Sequence, residues 1–145
     1  MIRDLGEGEA WVKVQRQLFA QPGLILLTGP MGVGKTQLVR WILKALSSDE
    51  VHSPTFAIHH RYDTPSILVD HLDLYRLESD QELENTGAWE HIMAADHLTL
   101  VEWADRLPLD VYPIARRRVL IQLDRLVTDE RVLRCTVFPP GSPIF

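Results

Sequence analysis

Apolar residues along the chain follow two rhythms, and the change from one to the other maps the elements. Between Gly8 and Phe19, Trp11, Val14 and Leu18 recur at helical spacing, and Pro22-Gly23 has the turn chemistry to stop that helix. Leu24 to Leu27 is short, wholly apolar and bounded by glycine, the pattern of a strand covered on both faces. From Lys35 to Leu46 the residues Leu38, Val39, Ile42, Leu43 and Leu46 fall on one helical stripe. This stretch therefore reads as strand, glycine loop, helix.

Further on, extended segments over Ala57 to Tyr62 and Ile67 to Leu74 flank the turn residues Asp63-Thr64-Pro65-Ser66 and predict a hairpin. Ser79 and Glu82 have capping-box spacing, Gly87 is placed to end the short helix they start, and a second helix is predicted over Ala88 to Ala95. Leu98 to Val101 reads as a second buried strand that delivers Glu102 at its C-terminal end. Val119 to Leu123 and Val132 to Val137 predict a closing hairpin. The expectation is a three-layer α/β P-loop NTPase fold with a mixed parallel/antiparallel sheet. It forms one domain over residues 1–138, followed by an irregular tail over 139–145, with the strand order left open.

Composition narrows this picture. With 46% hydrophobic and 24% charged residues the chain suits one globular core. Met1 to Asp4 opens no apolar run of signal-peptide length and no stretch approaches a membrane span, so a cytoplasmic protein with no membrane contact is expected. The lone Cys135 can form no internal disulfide. A net charge of -5 argues against wrapping nucleic acid, so no DNA is expected as a partner. Arg116-Arg117-Arg118 reads as a solvated strand entrance. His59-His60 are adjacent in an extended segment, point to opposite faces, and read as structural.

The chemistry concentrates in Gly29-Pro30-Met31-Gly32-Val33-Gly34-Lys35-Thr36, which fits GxxxxGK[ST]. Glycines let successive amides turn inward around phosphate oxygens, and the following helix adds partial positive charge. Lys35 is placed to reach the β- and γ-phosphates and the Thr36 hydroxyl to bind Mg²⁺. Four restricted positions match by accident in roughly one in a few hundred chains of this length, and the required strand and helix context is present as well. Nucleotide contacts are accordingly assigned to Gly29, Met31, Gly32, Val33, Gly34, Lys35 and Thr36. Such a site also needs a carboxylate at the end of a neighbouring buried strand; Glu102, Asp70 and Asp73 all qualify, and spacing does not rank them. No Asn-Lys-x-Asp guanine-reading motif is present, which favours ATP. No arginine is obviously placed as an intrinsic finger, so hydrolysis is expected to be slow without a partner.

The glycine loop, Ser53-Pro54-Thr55-Phe56, His71-Leu72-Asp73-Leu74-Tyr75-Arg76-Leu77 and Val101-Glu102-Trp103, in this order, closely resemble the TsaE (YjeE) family of small bacterial ATPases. The likeness runs from about Gly23 to Trp103, and the segment from Asp129 to Gly141 resembles the family's closing hairpin more loosely. The resemblance implies ATP and Mg²⁺ as ligands and a role in making threonylcarbamoyladenosine in tRNA. It implies TsaB and TsaD as partners, with tRNA engaged only indirectly. It selects Asp73 over Asp70, matches Glu102 to the family's glutamate, gives Thr55 a place in a switch-like loop, and marks Trp103 as needed for activity. Catalytic roles thus fall to Asp73, Glu102 and Thr55, and metal binding to Thr36, Glu102 and Asp73. Pro30 and Met31 depart from the family's usual acidic residue and leucine, and Ala104 from its usual proline. The readings that compete are a small-molecule kinase and a nucleotide-binding regulator that leaves ATP intact.

Overall fold

The alternation of side chains along one strand explains the layering. In β1 (Gly23–Thr28), Ile25 and Leu27 join one buried cluster while Leu24 and Leu26 join another. A strand apolar on both faces needs a helical layer on each. The computed structural model describes residues 5–46, 59–77, 79–128 and 130–144. One layer holds α1 (Leu5–Val14), α2 (Arg16–Phe19) and α3 (Lys35–Ala45). The other holds α4 (Asp80–Asn85), α5 (Ala88–Met93) and two 3₁₀ turns, Ala104–Arg106 and Leu109–Val111.

Between them lies a six-stranded sheet with β2 (His59–Asp63), β3 (Leu68–Asp73), β4 (Leu98–Glu102), β5 (Arg118–Arg125) and β6 (Arg131–Phe138). The order is β2-β3-β4-β1-β5-β6. The central four strands are parallel, and each edge strand returns antiparallel through a hairpin. The mixed sheet and the three layers agree with the sequence reading. The chain leaves β1 toward β3 on one side and leaves β4 toward β5 on the other. Their carboxyl ends therefore border the crevice where open α/β sheets bind ligands.

Three details differ from the expectation. Val14 is 79% exposed, because α1 turns Val12 rather than Val14 to the core; Val12 and, in α2, Phe19 carry the buried face, with Trp11 and Leu18 packed against it. The second short helix stops at Met93 rather than Ala95, where Ala94 turns extended. Arg116 and Arg118 are buried, not solvated. Arg116 donates to the carbonyls of Gly23, Ile92 and His97, and Arg118 to those of Pro139 and Ser142. These guanidiniums tie together backbone oxygens where the strands begin and the C-terminal segment folds back; two of these oxygens, those of His97 and Pro139, also accept a backbone amide. Ile144, in that segment, is buried in the second cluster.

Candidate active site at the P-loop

Gly29 follows β1 directly, and a Cβ there would lie 2.4 Å from the Leu123 carbonyl oxygen, so only glycine lets the loop pass β5 this closely. Gly32 (φ 76°) and Gly34 (φ 114°) take left-handed conformations that turn the loop into the start of α3. Lys35 is the first helical residue and is only 5% exposed. Its ammonium donates to the carbonyls of Gly29 and, at 2.8 Å, Pro30, and sits 3.8 Å from the centre of the Trp103 ring. Among the described residues no carboxylate pairs with it. Burial lowers the Lys35 pKa below its ordinary value, an effect that Glu102, Asp105 and Asp73 partly offset through their negative charge.

The two implied carboxylates arrive on adjacent parallel strands, since Asp73 of β3 is the register partner of Glu102 of β4. Their environments differ. Glu102 accepts a 2.8 Å hydrogen bond from the Thr36 hydroxyl on one oxygen and lies 2.5 Å from His71 Nε2 on the other. Burial pushes this carboxyl up, but His71, the Thr36 hydroxyl and the Lys35 charge outweigh it and hold Glu102 below its ordinary value. For Asp73 burial prevails, with the neighbouring Glu102 charge adding to it. The carboxyl stays above its ordinary value even though it accepts a 3.0 Å bond from the Tyr75 amide. Two adjacent acids are thereby biased in opposite directions, an arrangement that suits one to hold a cation and the other to exchange a proton.

A cavity of 270 Å³ gathers these groups, lined by loop residues with Lys35, Thr36, Asp73, Tyr75, Glu102 and Trp103. A second cavity, of 600 Å³, lies on the Gly29-Pro30 side and shares Trp103 with the first. Trp103 is, among the described residues, the one non-glycine with positive φ, at 57°. Its ring lies 5.0 Å from that of Tyr75, centre to centre. A bulky residue held left-handed is strained, and such strain persists where the surroundings over-determine it.

Most of the sequence-assigned residues thus meet at one place. Met31 and Gly32 line the smaller cavity, Met31 being 63% exposed, while Val33 is buried beneath the loop. Thr55, with the rest of Ser53 to Phe56, lies outside the described residues. Asp70 goes elsewhere: three residues before Asp73 on the same strand, it points to the opposite face. Sequence reasoning gave no role to His71 and Tyr75, although period two from Asp73 places His71 on its face and Tyr75 follows two residues later in the turn after β3, both within the quoted motif.

The family model described as threonylcarbamoyl adenosine biosynthesis protein TsaE matches residues 5–133. Among curated relatives, the "tRNA threonylcarbamoyladenosine biosynthesis protein TsaE" of Rickettsia bellii is 39% identical over 84 residues, 57% of each chain. Its Nostoc counterpart is 41% identical over 88 residues, 59% of this chain and 54% of the relative. This chain therefore spans little more than half the length of these two relatives. The Rickettsia felis protein of the same name is 30% identical over 138 residues, 94% of this chain and 77% of its own. Among solved structures, Bacillus subtilis YdiB superimposes with a TM-score of 0.65 at 25% identity, covering 92% of this chain and 79% of that one. With the family's model matched along nearly the whole chain, and the glycine loop, paired acids and tryptophan assembled around one cavity, this chain belongs to the TsaE family.

Proposed function

We propose that this chain is a Mg²⁺-dependent ATPase of tRNA threonylcarbamoyladenosine biosynthesis that works in association with TsaB and TsaD. The observation that carries the reading is Lys35: a buried ammonium that has no carboxylate partner among the described residues and is held by loop carbonyls beside the Thr36–Glu102 pair. A buried cation without an anion is costly unless an anionic ligand completes it, and a triphosphate has that chemistry. Thr36, Glu102 and Asp73 fit a hydrated divalent cation, offering one hydroxyl and two carboxylates. Bound there, Mg²⁺ would supply charge neutralisation on the phosphates.

The remaining work belongs to the chain. Amides of the loop and the N-terminus of α3 bind the phosphates, with Lys35 released from its two carbonyls to do so. Glu102, held below its ordinary pKa by His71 and the Thr36 hydroxyl, would hold the metal together with Thr36. Asp73, with its raised pKa, orients the attacking water and takes its proton. Thr55 would complete the site from its loop, and Trp103 couples it to bound partners through its ring against Lys35.

Phosphate release from ATP by the purified protein, alone and with TsaB and TsaD, tests this. Slow basal release, raised by the partners and lost in Lys35→Ala, is expected; ATP bound but intact in every setting would replace the ATPase with a regulator. The 600 Å³ cavity beside Gly29 gives the kinase reading a place for an acceptor. A labelled phosphorylated metabolite, in place of free phosphate, would identify that activity.

A further inference from the structure

On the sheet face opposite Glu102, four side chains converge on Asp70, a carboxylate in the middle of β3 with no solvent exposure. The register explains the convergence. Arg61 of β2 faces Asp70 directly, and His59, two residues earlier, shares that face; Thr99 of β4 faces Asp70 from the other side, and His97 lies two residues before it. His91 descends from α5, which covers this face. One Asp70 oxygen lies 2.8 Å from His59 Nε2 and 3.0 Å from Arg61 Nε. The other lies 2.7 Å from His97 Nδ1 and 3.5 Å from His91 Nδ1. The rings of His59 and His91 stack at 3.8 Å.

We propose that His59, Asp70 and His91 form a binding site for a transition-metal dication of the Zn²⁺ class. Their ligand atoms all lie within 4.8 Å of one another. Tetrahedral Zn²⁺ at ordinary bond lengths needs ligand atoms about 3.3 Å apart, so small ring movements suffice. Two imidazoles with one carboxylate select such a metal over Mg²⁺ or Ca²⁺, which prefer all-oxygen shells. His97 holds the second carboxylate oxygen, the outer partner that metal-binding carboxylates require. Arg116 fixes the framework by donating to the carbonyls of both His91 and His97. The histidines are 17–25% exposed, so an ion can enter, and solvent completes the shell. Arg61 occupies the cationic position in the metal-free protein; its side chain, 45% exposed, can swing away. A bound ion would pin the β2 edge strand and α5 to the sheet, on the face away from the phosphate loop.

The test uses tag-free, chelator-treated protein without nucleotide, titrated with Co²⁺ for its ligand-field absorption and with Zn²⁺ against a colorimetric chelator. One equivalent should bind, with tetrahedral Co²⁺ bands, and melting should move upward. His91→Ala and His59→Ala should each weaken binding by roughly tenfold or more, while Glu102→Gln leaves it unchanged. Arg61→Ala should tighten it, since the competing cation is gone, an effect that adventitious surface binding does not show. Absence of binding to the folded wild type would overturn the proposal. So would binding that persists unaltered in both histidine variants and in Arg61→Ala.

Discussion

The Thr36 hydroxyl donates a 2.8 Å hydrogen bond to Glu102 across 66 residues of sequence. The contact ties the first turn of α3 to the C-terminal end of β4, so the loop that would cradle phosphate and the acid that would hold a cation are positioned by one interaction. It also orients the carboxylate, because the second Glu102 oxygen is taken by His71 from the adjacent strand β3. Both acceptor oxygens of a nearly buried acid are therefore satisfied, which is the condition for keeping it charged in the interior.

From this follows the behaviour of Glu102→Gln. The amide is nearly the same size and can still meet Thr36, but it brings no charge to a divalent cation. ATP hydrolysis should fall by about 10- to 100-fold at a fixed Mg²⁺ concentration, with nucleotide binding retained. Phosphate release followed over a Mg²⁺ titration checks this; an unchanged Mg²⁺ dependence would remove Glu102 from the metal's surroundings.

Lys35 is a buried charge that costs the fold stability. Its folded pKa lies below the ordinary lysine value because burial disfavours the charge. The fold is therefore penalised at every pH below the folded pKa, and the penalty is relieved as pH rises from there toward 10.5. Lys35→Met removes the charge and keeps the packing, so the nucleotide-free protein should gain on the order of 1 kcal/mol at neutral pH, about 4 °C in melting temperature. The advantage over wild type should shrink as pH rises through the lysine's titration. Melting curves at neutral and alkaline pH measure it, and a destabilised Lys35→Met would mean that the carbonyl bonds outweigh the burial.

Among the loop glycines, Gly29 and Gly32 both have positive φ, at 144° and 76°, but of these two only Gly29 is also crowded. A Cβ at Gly29 would strike the Leu123 carbonyl at 2.4 Å, and this is backbone that cannot yield without moving β5. At Gly32 nothing lies within 4 Å, and only the left-handed backbone is strained by a side chain. Gly32→Ala should therefore cost about 1 kcal/mol. Gly29→Ala should cost clearly more and abolish nucleotide binding as the loop shifts. Denaturation with a fluorescent-nucleotide binding assay distinguishes them, and equal effects at the two positions would contradict the close approach.

Much of this was legible from the sequence because the signals are local. The run Leu24 to Leu27 before the glycines, and the stripe on α3 after them, fix the strand and helix whatever the rest of the chain does. Asp70 and Asp73 could not be ranked by spacing, since both sit on one strand; the faces they point to decide, and a face acquires meaning only once the layers are assembled. The phase of the first helix misled for a similar reason. Trp11, Val14 and Leu18 share helical spacing, yet Val12 is the residue α1 turns to the core, and Val14 faces solvent. The arginines after Ala115 also needed tertiary knowledge, because a solvated charge and a buried carbonyl clamp have the same sequence.

Arg116 gives that last point a measurable form. Its guanidinium, with the pKa pushed by burial down to about 10, is 6% exposed and pairs with no carboxylate at salt-bridge distance among the described residues. It donates instead to the carbonyls of Gly23, Ile92 and His97, joining the start of β1, the end of α5 and the residue leading into β4. Removing it leaves these buried oxygens without that donor, at about 1–3 kcal/mol for an unsatisfied group. Arg116→Ala should therefore destabilise the protein by roughly 3 kcal/mol. Lysine should rescue little, because one ammonium on a flexible stem cannot reproduce the planar fork that spans the carbonyls of Gly23, His91, Ile92 and His97. Chemical denaturation of both variants measures the difference. Full rescue by lysine would show that charge near Asp70, rather than the fork geometry, is what the position supplies.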